Sequence, residues 1–127
     1  MIEKILRSIT AFLNSEQGGE IFIGVKDDKS LQDLTKDYEV ADPSKMNQDG
    51  YALYLNNKIK HALGSNCIGN YEIDFYTINE KDICVINISY SKQPIFFEGQ
   101  FIIRNNNQSV ILNNAEFYDY IRTRQLR

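Results

Sequence analysis

Residues 10–28 read T-A-F-L-N-S-E-Q-G-G-E-I-F-I-G-V-K-D-D, and this stretch decides the fold. A helical pattern runs into Gly18-Gly19 and restarts as a strand that ends in two carboxylates. Upstream, Ile2, Ile5, Leu6, Ile9, Phe12 and Leu13 recur at helical spacing, with Glu3, Lys4 and Arg7 opposite. Downstream, residues 20–26 alternate: Ile21, Ile23 and Val25 share one face, Phe22 and Gly24 the other. A glycine in the left-handed region stops a helix, which is the role expected of Gly18 or Gly19. A phosphate loop has the reverse order, a strand before the glycines and a helix N-terminus after them. Here the negative end of the helix points at the glycines, so the order argues against an anion cradle.

Working outward, residues 27–48 are polar and turn-rich, with Leu31, Leu34 and Tyr38 as anchors and Asp42-Pro43-Ser44 as a turn or helix start. Residues 48–63 predict a second helix, striped by Tyr51, Tyr54, Leu55, Ile59, Ala62 and Leu63 and ended by Gly64. Residues 71–78 and 83–90 predict strands joined through residues 79–82. Pro94 breaks the chain, and residues 95–97 are extended. Residues 101–104 predict another strand, followed by the turn Asn105-Asn106-Asn107, since Asn tolerates positive φ. Asn113 or Asn114 caps a final helix that turns Phe117, Tyr118 and Ile121 inward. The order is helix, strand, helix, three strands, helix. Consecutive hairpin strands make the sheet mixed or antiparallel, so the expected class is α+β in a single domain spanning residues 1–127.

Composition narrows the function. The chain has 127 residues, 43% hydrophobic and 24% charged, as an ordinary globular domain has. No apolar run approaches the roughly 20 residues of a membrane span. The charged residues among the first ten predict an amphipathic helix of the domain, not a signal peptide. Cys67 and Cys84 lie in apolar surroundings and are expected to be reduced core residues of a cytoplasmic protein. Two cysteines and one histidine do not make a Cys/His zinc site. His61, near the end of the second helix, suits the helix dipole and has no nucleophile motif beside it.

Net charge is −3, whereas dedicated nucleic-acid binders are usually basic. Any such binding rests on a local patch. Acids dominate from Asp27 through Asp28, Asp33, Asp37 and Glu39 to Asp42, while the C-terminal segment carries Arg122, Arg124 and Arg127. Each cluster also reads as ordinary solvated surface. Arg104 ends a strand beside amides and Ser109, the groups that grip phosphate and sugar oxygens. Phe96, Phe97 and Phe101 have the rings to stack bases, although core packing is the expected use of such residues. Asp27 and Asp28, with Glu20, are the acids that Mg²⁺ or Mn²⁺ would need in a catalytic site.

These residues together resemble the Schlafen AlbA-type (AlbA_2) domain, a family associated with DNA binding in bacterial regulators and with Schlafen proteins. Its first block reads A-F-x-N-(T/S)-x-G-G-x-(L/I)-x-I-G-V-x-D. Ala11, Phe12, Asn14, Ser15, Gly18, Gly19, Ile21, Ile23, Gly24, Val25 and Asp27 follow it, with one extra residue after Ser15. Lys36-Asp37-Tyr38 and Asp49-Gly50-Tyr51 look like its continuation. The last block is met by Pro94, Ile95, Phe96, Phe101, Arg104, Asn107, Ser109, Glu116, Tyr120, Ile121 and Arg124, with Asn106 where glycine is common.

The resemblance implies a DNA- or RNA-binding module, non-catalytic in this chain and part of a regulatory or defence protein. Its expected contacts are Lys92, Arg104, Asn107, Ser109, Arg122 and Arg124. Three or four phosphate contacts would give a log–log salt slope of roughly −3 on duplex DNA. No cofactor is expected. In Schlafen ribonucleases, acids of an upstream E…E-F-K strand join the aspartate after I-G-V to bind metal. The expectation here is that this strand is lacking and that only Asp27 or Asp28 has a counterpart. The alternatives are a Mg- or Mn-dependent endoribonuclease using Asp27, Asp28 and Glu20, and a protein-interaction module that forms a homodimer through an exposed sheet edge.

Overall fold

The computed structural model describes residues 1–125, with side chains through Thr123. It is an α+β fold with two three-stranded antiparallel sheets. Helix α1 (Ile2–Leu13) leads into β1 (Gly19–Ile23), then α2 (Thr35–Ala41), α3 (Gln48–Leu63) and a short 3₁₀ segment (Ser65–Asn70). The strands β2 (Tyr71–Ile78), β3 (Lys81–Ile88), β4 (Phe96–Phe97), β5 (Gln100–Asn105) and β6 (Gln108–Leu112) follow, and α4 (Asn114–Gln125) comes last. The first sheet has the order β1-β3-β2 and the second β4-β5-β6.

Helix α1 is the hub. Its apolar stripe is buried, with Ile9, Ala11 and Leu13 shut off from solvent, and it packs against strands of both sheets. Glu3 in the first turn complements the dipole and pairs with Arg7 across 3.6 Å. The helix ends at Leu13 with Asn14 as C-cap, not at the glycines, which corrects the expectation for that segment. Asn14 gives the reason. Its side chain is buried and bonds three main-chain groups, two on Ile95 just before β4 and one on Ile102 in β5: it accepts from Ile95 N at 3.0 Å and donates to Ile95 O and Ile102 O at 2.9 Å each. The chain is spent on tying the end of α1 to the second sheet rather than on another helical turn.

Gly18 and Gly19 are needed for close approach. Gly18 has φ +62°, and a Cβ there would lie 2.1 Å from the carbonyl oxygen of Ile88. A Cβ on Gly19 would meet the Phe12 ring at 2.3 Å.

The alternation in β1 is as predicted. Ile21 and Ile23 pair with Ile86 and Cys84 over the core, and Phe22 points outward. Asn47 caps α3 by accepting from Gly50 N at 2.8 Å, and Gly64 ends it. The β2–β3 hairpin is tighter than expected: Ile78 pairs with Lys81, leaving only Asn79-Glu80 in the turn. Helix α2, the 3₁₀ segment and β6 are elements beyond those the sequence pattern predicts. A helix of seven residues shows little more than one repeat, here Leu34 and Tyr38, which do anchor it as buried residues.

Asn113 caps α4, accepting from Glu116 N at 2.9 Å while its own N–H donates to Glu116 Oε1 at 3.0 Å. Tyr118 is 62% exposed, against expectation. Tyr120 is the inward residue, with its ring 5.4 Å from Phe101 and its hydroxyl donating to the Asn14 carbonyl. Both cysteines are free and buried. Among the described residues, no helix is long and apolar enough to cross a membrane.

Candidate functional site

The site is built around the end of β5. Arg104 stands opposite Ser109 in the β5–β6 register, and directly opposed residues project from the same face of a pair. The Arg104 amide donates to Ser15 Oγ at 3.2 Å, and Ser15 Oγ donates to Ala11 O at 2.7 Å. This fixes β5 on the last turn of α1. The Arg104 guanidinium then lies 5.1 Å from the centroid of the Phe12 ring. The hairpin turns at Asn106 with φ 58°, the conformation for which glycine is common at this place in the family pattern.

These elements, the loop after α1 and the inner face of α4 enclose an open groove of about 980 Å³. Its lining has three parts. Phe12, Ile103, Leu112 and Tyr120 supply apolar surface; Gln17, Asn106 and Asn107 supply amides; Glu16, Glu116 and Asp119 supply carboxylates. Arg104 is the one cation lining it among the described residues. Glu116, Asp119, Tyr120 and Thr123 share one face of α4, as a spacing of three and four requires.

The predicted contacts are thus only partly brought together. Arg104 and Asn107 line the groove, and Ser109 stands exposed across from Arg104. Lys92 is exposed on the loop between β3 and β4 and does not line it. Arg122 is exposed on another face of α4, its guanidinium 5.7 Å from the Tyr118 ring centroid. The side chain of Arg124 and all of Arg127 lie outside the described residues. Sequence reasoning missed Gln17, Asp119 and the role of α4 as a wall. The Asn113-x-x-Glu116 capping box was the available signal for the start of that wall.

The acids proposed for metal are separated. Asp27 and Asp28 sit in the turn beyond the end of β1, closed by the Val25–Leu31 bridge. Asp28 Oδ1 accepts from Ser30 N at 2.9 Å and Ser30 Oγ at 2.6 Å, and these bonds hold its carboxyl below the usual range. Glu20 enters β1 at the opposite end, across from Asn87. Among the described residues no three of His, Cys, Asp and Glu come together to share a metal ion. This donor set does not fit a catalytic Mg²⁺ or Mn²⁺.

The sequence profile of the family described as Schlafen, AlbA_2 matches residues 1–113. This chain belongs to that family. The fold of the AlbA_2 domain is similar to that of the crystal structure of the DIP2311 protein from Corynebacterium diphtheriae, with a TM-score of 0.65 and 14% identity. The likeness covers 97% of this chain and 22% of that one, so the domain spans about a fifth of the protein it resembles. At that identity the likeness is one of fold. No curated protein matches the chain. Within the AlbA_2 domain, Arg104, Asn107 and Ser109 fall inside the matched span, whereas α4 lies beyond it.

Proposed function

We propose that this AlbA_2 domain binds nucleic acid, without cutting it, along the groove beside the β5–β6 hairpin, as one module of a regulatory or defence protein. The observation that carries the reading is the placement of Arg104. Its main chain is bonded to Ser15 and its guanidinium rests on Phe12, beside a turn of amides and the Ser109 hydroxyl. A guanidinium with neighbouring amides and hydroxyls is the donor set that positions a phosphate and its sugar.

The groove also sets the strength. Three carboxylates share it with that one cation, so dense contact with duplex phosphates is disfavoured. A single phosphate neutralised at Arg104 gives a log–log salt slope of about −0.9 on duplex DNA, shallower than the three or four contacts implied by the family resemblance would give. Lys92 and Arg122 add to the slope only where a strand runs past the groove.

The test is a low-salt titration with duplex DNA, single strands and tRNA, with and without Mn²⁺, scored for retention and for cutting. Arg104→Ala is expected to reduce the magnitude of the salt slope by about 1. An unchanged slope removes the groove from consideration. Mn²⁺-dependent cutting lost in Asp27→Asn/Asp28→Asn would replace this reading with the nuclease.

A further inference from the structure

We infer that the outer face of the β1-β3-β2 sheet is a docking surface for a cationic amphipathic helix of a partner protein. The central strand carries the first argument. A strand with one face in water alternates apolar and polar residues, whereas one covered on both faces is apolar throughout. Strand β3 has Cys84, Ile86 and Ile88 facing the core and Ile83 and Val85 on the other side. That second side is not an incidental pair of residues. Phe22 stands beside Val85, Tyr76 beside Ile83 and Ile78 beside Lys81, and the three flanking side chains are 55%, 55% and 47% exposed. Together they form a shallow groove of about 330 Å³.

Charge gives the polarity of the occupant. Glu20 and Glu72 flank Asn87 at one end of the face, and Asp74 stands across from Val85. Lys81 is at the other end. An apolar strip with two carboxylates at one end and a third beside Val85 complements apolar residues at helical spacing with Lys or Arg toward the matching end.

Size gives its shape. Three strands spaced about 4.8 Å apart put the outer two about 10 Å from each other, and the eight residues of β2 span about 26 Å. A helix with its side chains is about 10–12 Å across. The flat area, about 260 Å² at most, falls short of the roughly 800 Å² per partner of a stable dimer. One helix fits where a second copy of the chain, held by this face alone, does not. A helix laid on the open side of this sheet also completes a layered architecture that α1 and α3 begin on the other side.

The probe is a dye-labelled synthetic helix of Leu and Lys, with Leu at i, i+3, i+4 and i+7, titrated against the full chain by fluorescence anisotropy. Saturable one-to-one binding is expected. Phe22→Ser with Tyr76→Ser should weaken it by about tenfold or more, and Glu20→Lys with Glu72→Lys should weaken it as well. A version of the peptide with Glu in place of Lys should not bind. All these residues sit on an outward face, and a melting curve of each variant serves as the folding control. Arg104→Ala should leave peptide binding intact, and Phe22→Ser/Tyr76→Ser should leave nucleic-acid binding intact, so the two sites succeed or fail separately. Equal binding by the Phe22/Tyr76 variant, or a wild-type dimer that this variant dissolves, would overturn the inference.

Discussion

The guanidinium of Arg104 rests on the ring of Phe12, 5.1 Å from its centroid, across ninety-two positions of sequence. The pair joins the last turn of α1 to the end of β5, and Gly19 leaves the room that the ring occupies. A half-exposed stack of this kind is worth about 0.5–1 kcal/mol. Phe12→Leu keeps an apolar side chain and removes the stack. Nucleic-acid affinity should then fall by about two- to fivefold with the fold retained. The same low-salt titration, run beside a thermal melt, reads both quantities.

The buried Asn14 side chain is costly to remove. Asn14→Ala would leave Ile95 N–H and two main-chain carbonyls without partners in a site closed to water. Orphaned buried groups cost about 1–3 kcal/mol each before relaxation, so a loss of about 3 kcal/mol is expected. Urea unfolding should show a lower midpoint with an unchanged m-value.

Acid should weaken the contact between α2 and the β2–β3 hairpin. Tyr38 donates to Asp82 Oδ2 at 2.5 Å, and Thr77 donates to Oδ1 at 2.8 Å. The Tyr38 bond is the main cause that holds the Asp82 carboxyl below its ordinary range; partial burial opposes it, and Thr77 adds to it. A carboxyl depressed in the folded state stabilises above its unfolded pKa of about 3.9, and that stability is lost as pH falls through the folded value. Tyr38→Phe keeps the ring and removes the donor. The stability difference between wild type and Tyr38→Phe should therefore be largest near neutrality and shrink below about pH 4. Urea midpoints measured at pH 7 and near pH 3 test this, and a constant difference would count against the assignment.

The β2–β3 turn offers a gain in stability. Asn79 and Glu80 have φ 51° and 65°, the conformation of a two-residue type I′ turn. Asn suits the first position. Glu pays for its Cβ at the second, where glycine is preferred. Glu80→Gly should raise stability by about 0.5–1 kcal/mol, after the extra entropy of glycine in the unfolded chain is counted. The urea midpoint should rise, and nucleic-acid binding should not change.

Elements long enough to repeat their pattern could be read from the sequence. The stripe from Ile2 to Leu13, the Tyr51–Leu63 face of α3 and the alternation of Ile21 with Phe22 each follow from one local period. The short pieces could not. Helix α2 and β6 are held by partners outside themselves, through Tyr38 on Asp82 and through the pairing of β6 with β5. Tyr118 and Tyr120 are equivalent in local pattern, and only the Asn14 carbonyl and the Phe101 ring choose between them.

The candidate site divides in the same way. Family resemblance marked Arg104, Asn107 and Ser109, because motif residues are fixed in order along the chain. Whether they converge depends on how α1 and the second sheet dock. That docking keeps Arg104 and Asn107 in one groove, leaves Lys92 and Arg122 off it and lines it with acids. The sequence by itself determined the AlbA_2 identity, the α+β class and the longer elements, since these rest on short-range periodicity and ordered motifs. Tertiary structure alone decided which charges face each other, because Asn14, Phe12 and Ser15 meet their partners across some eighty to ninety positions of chain.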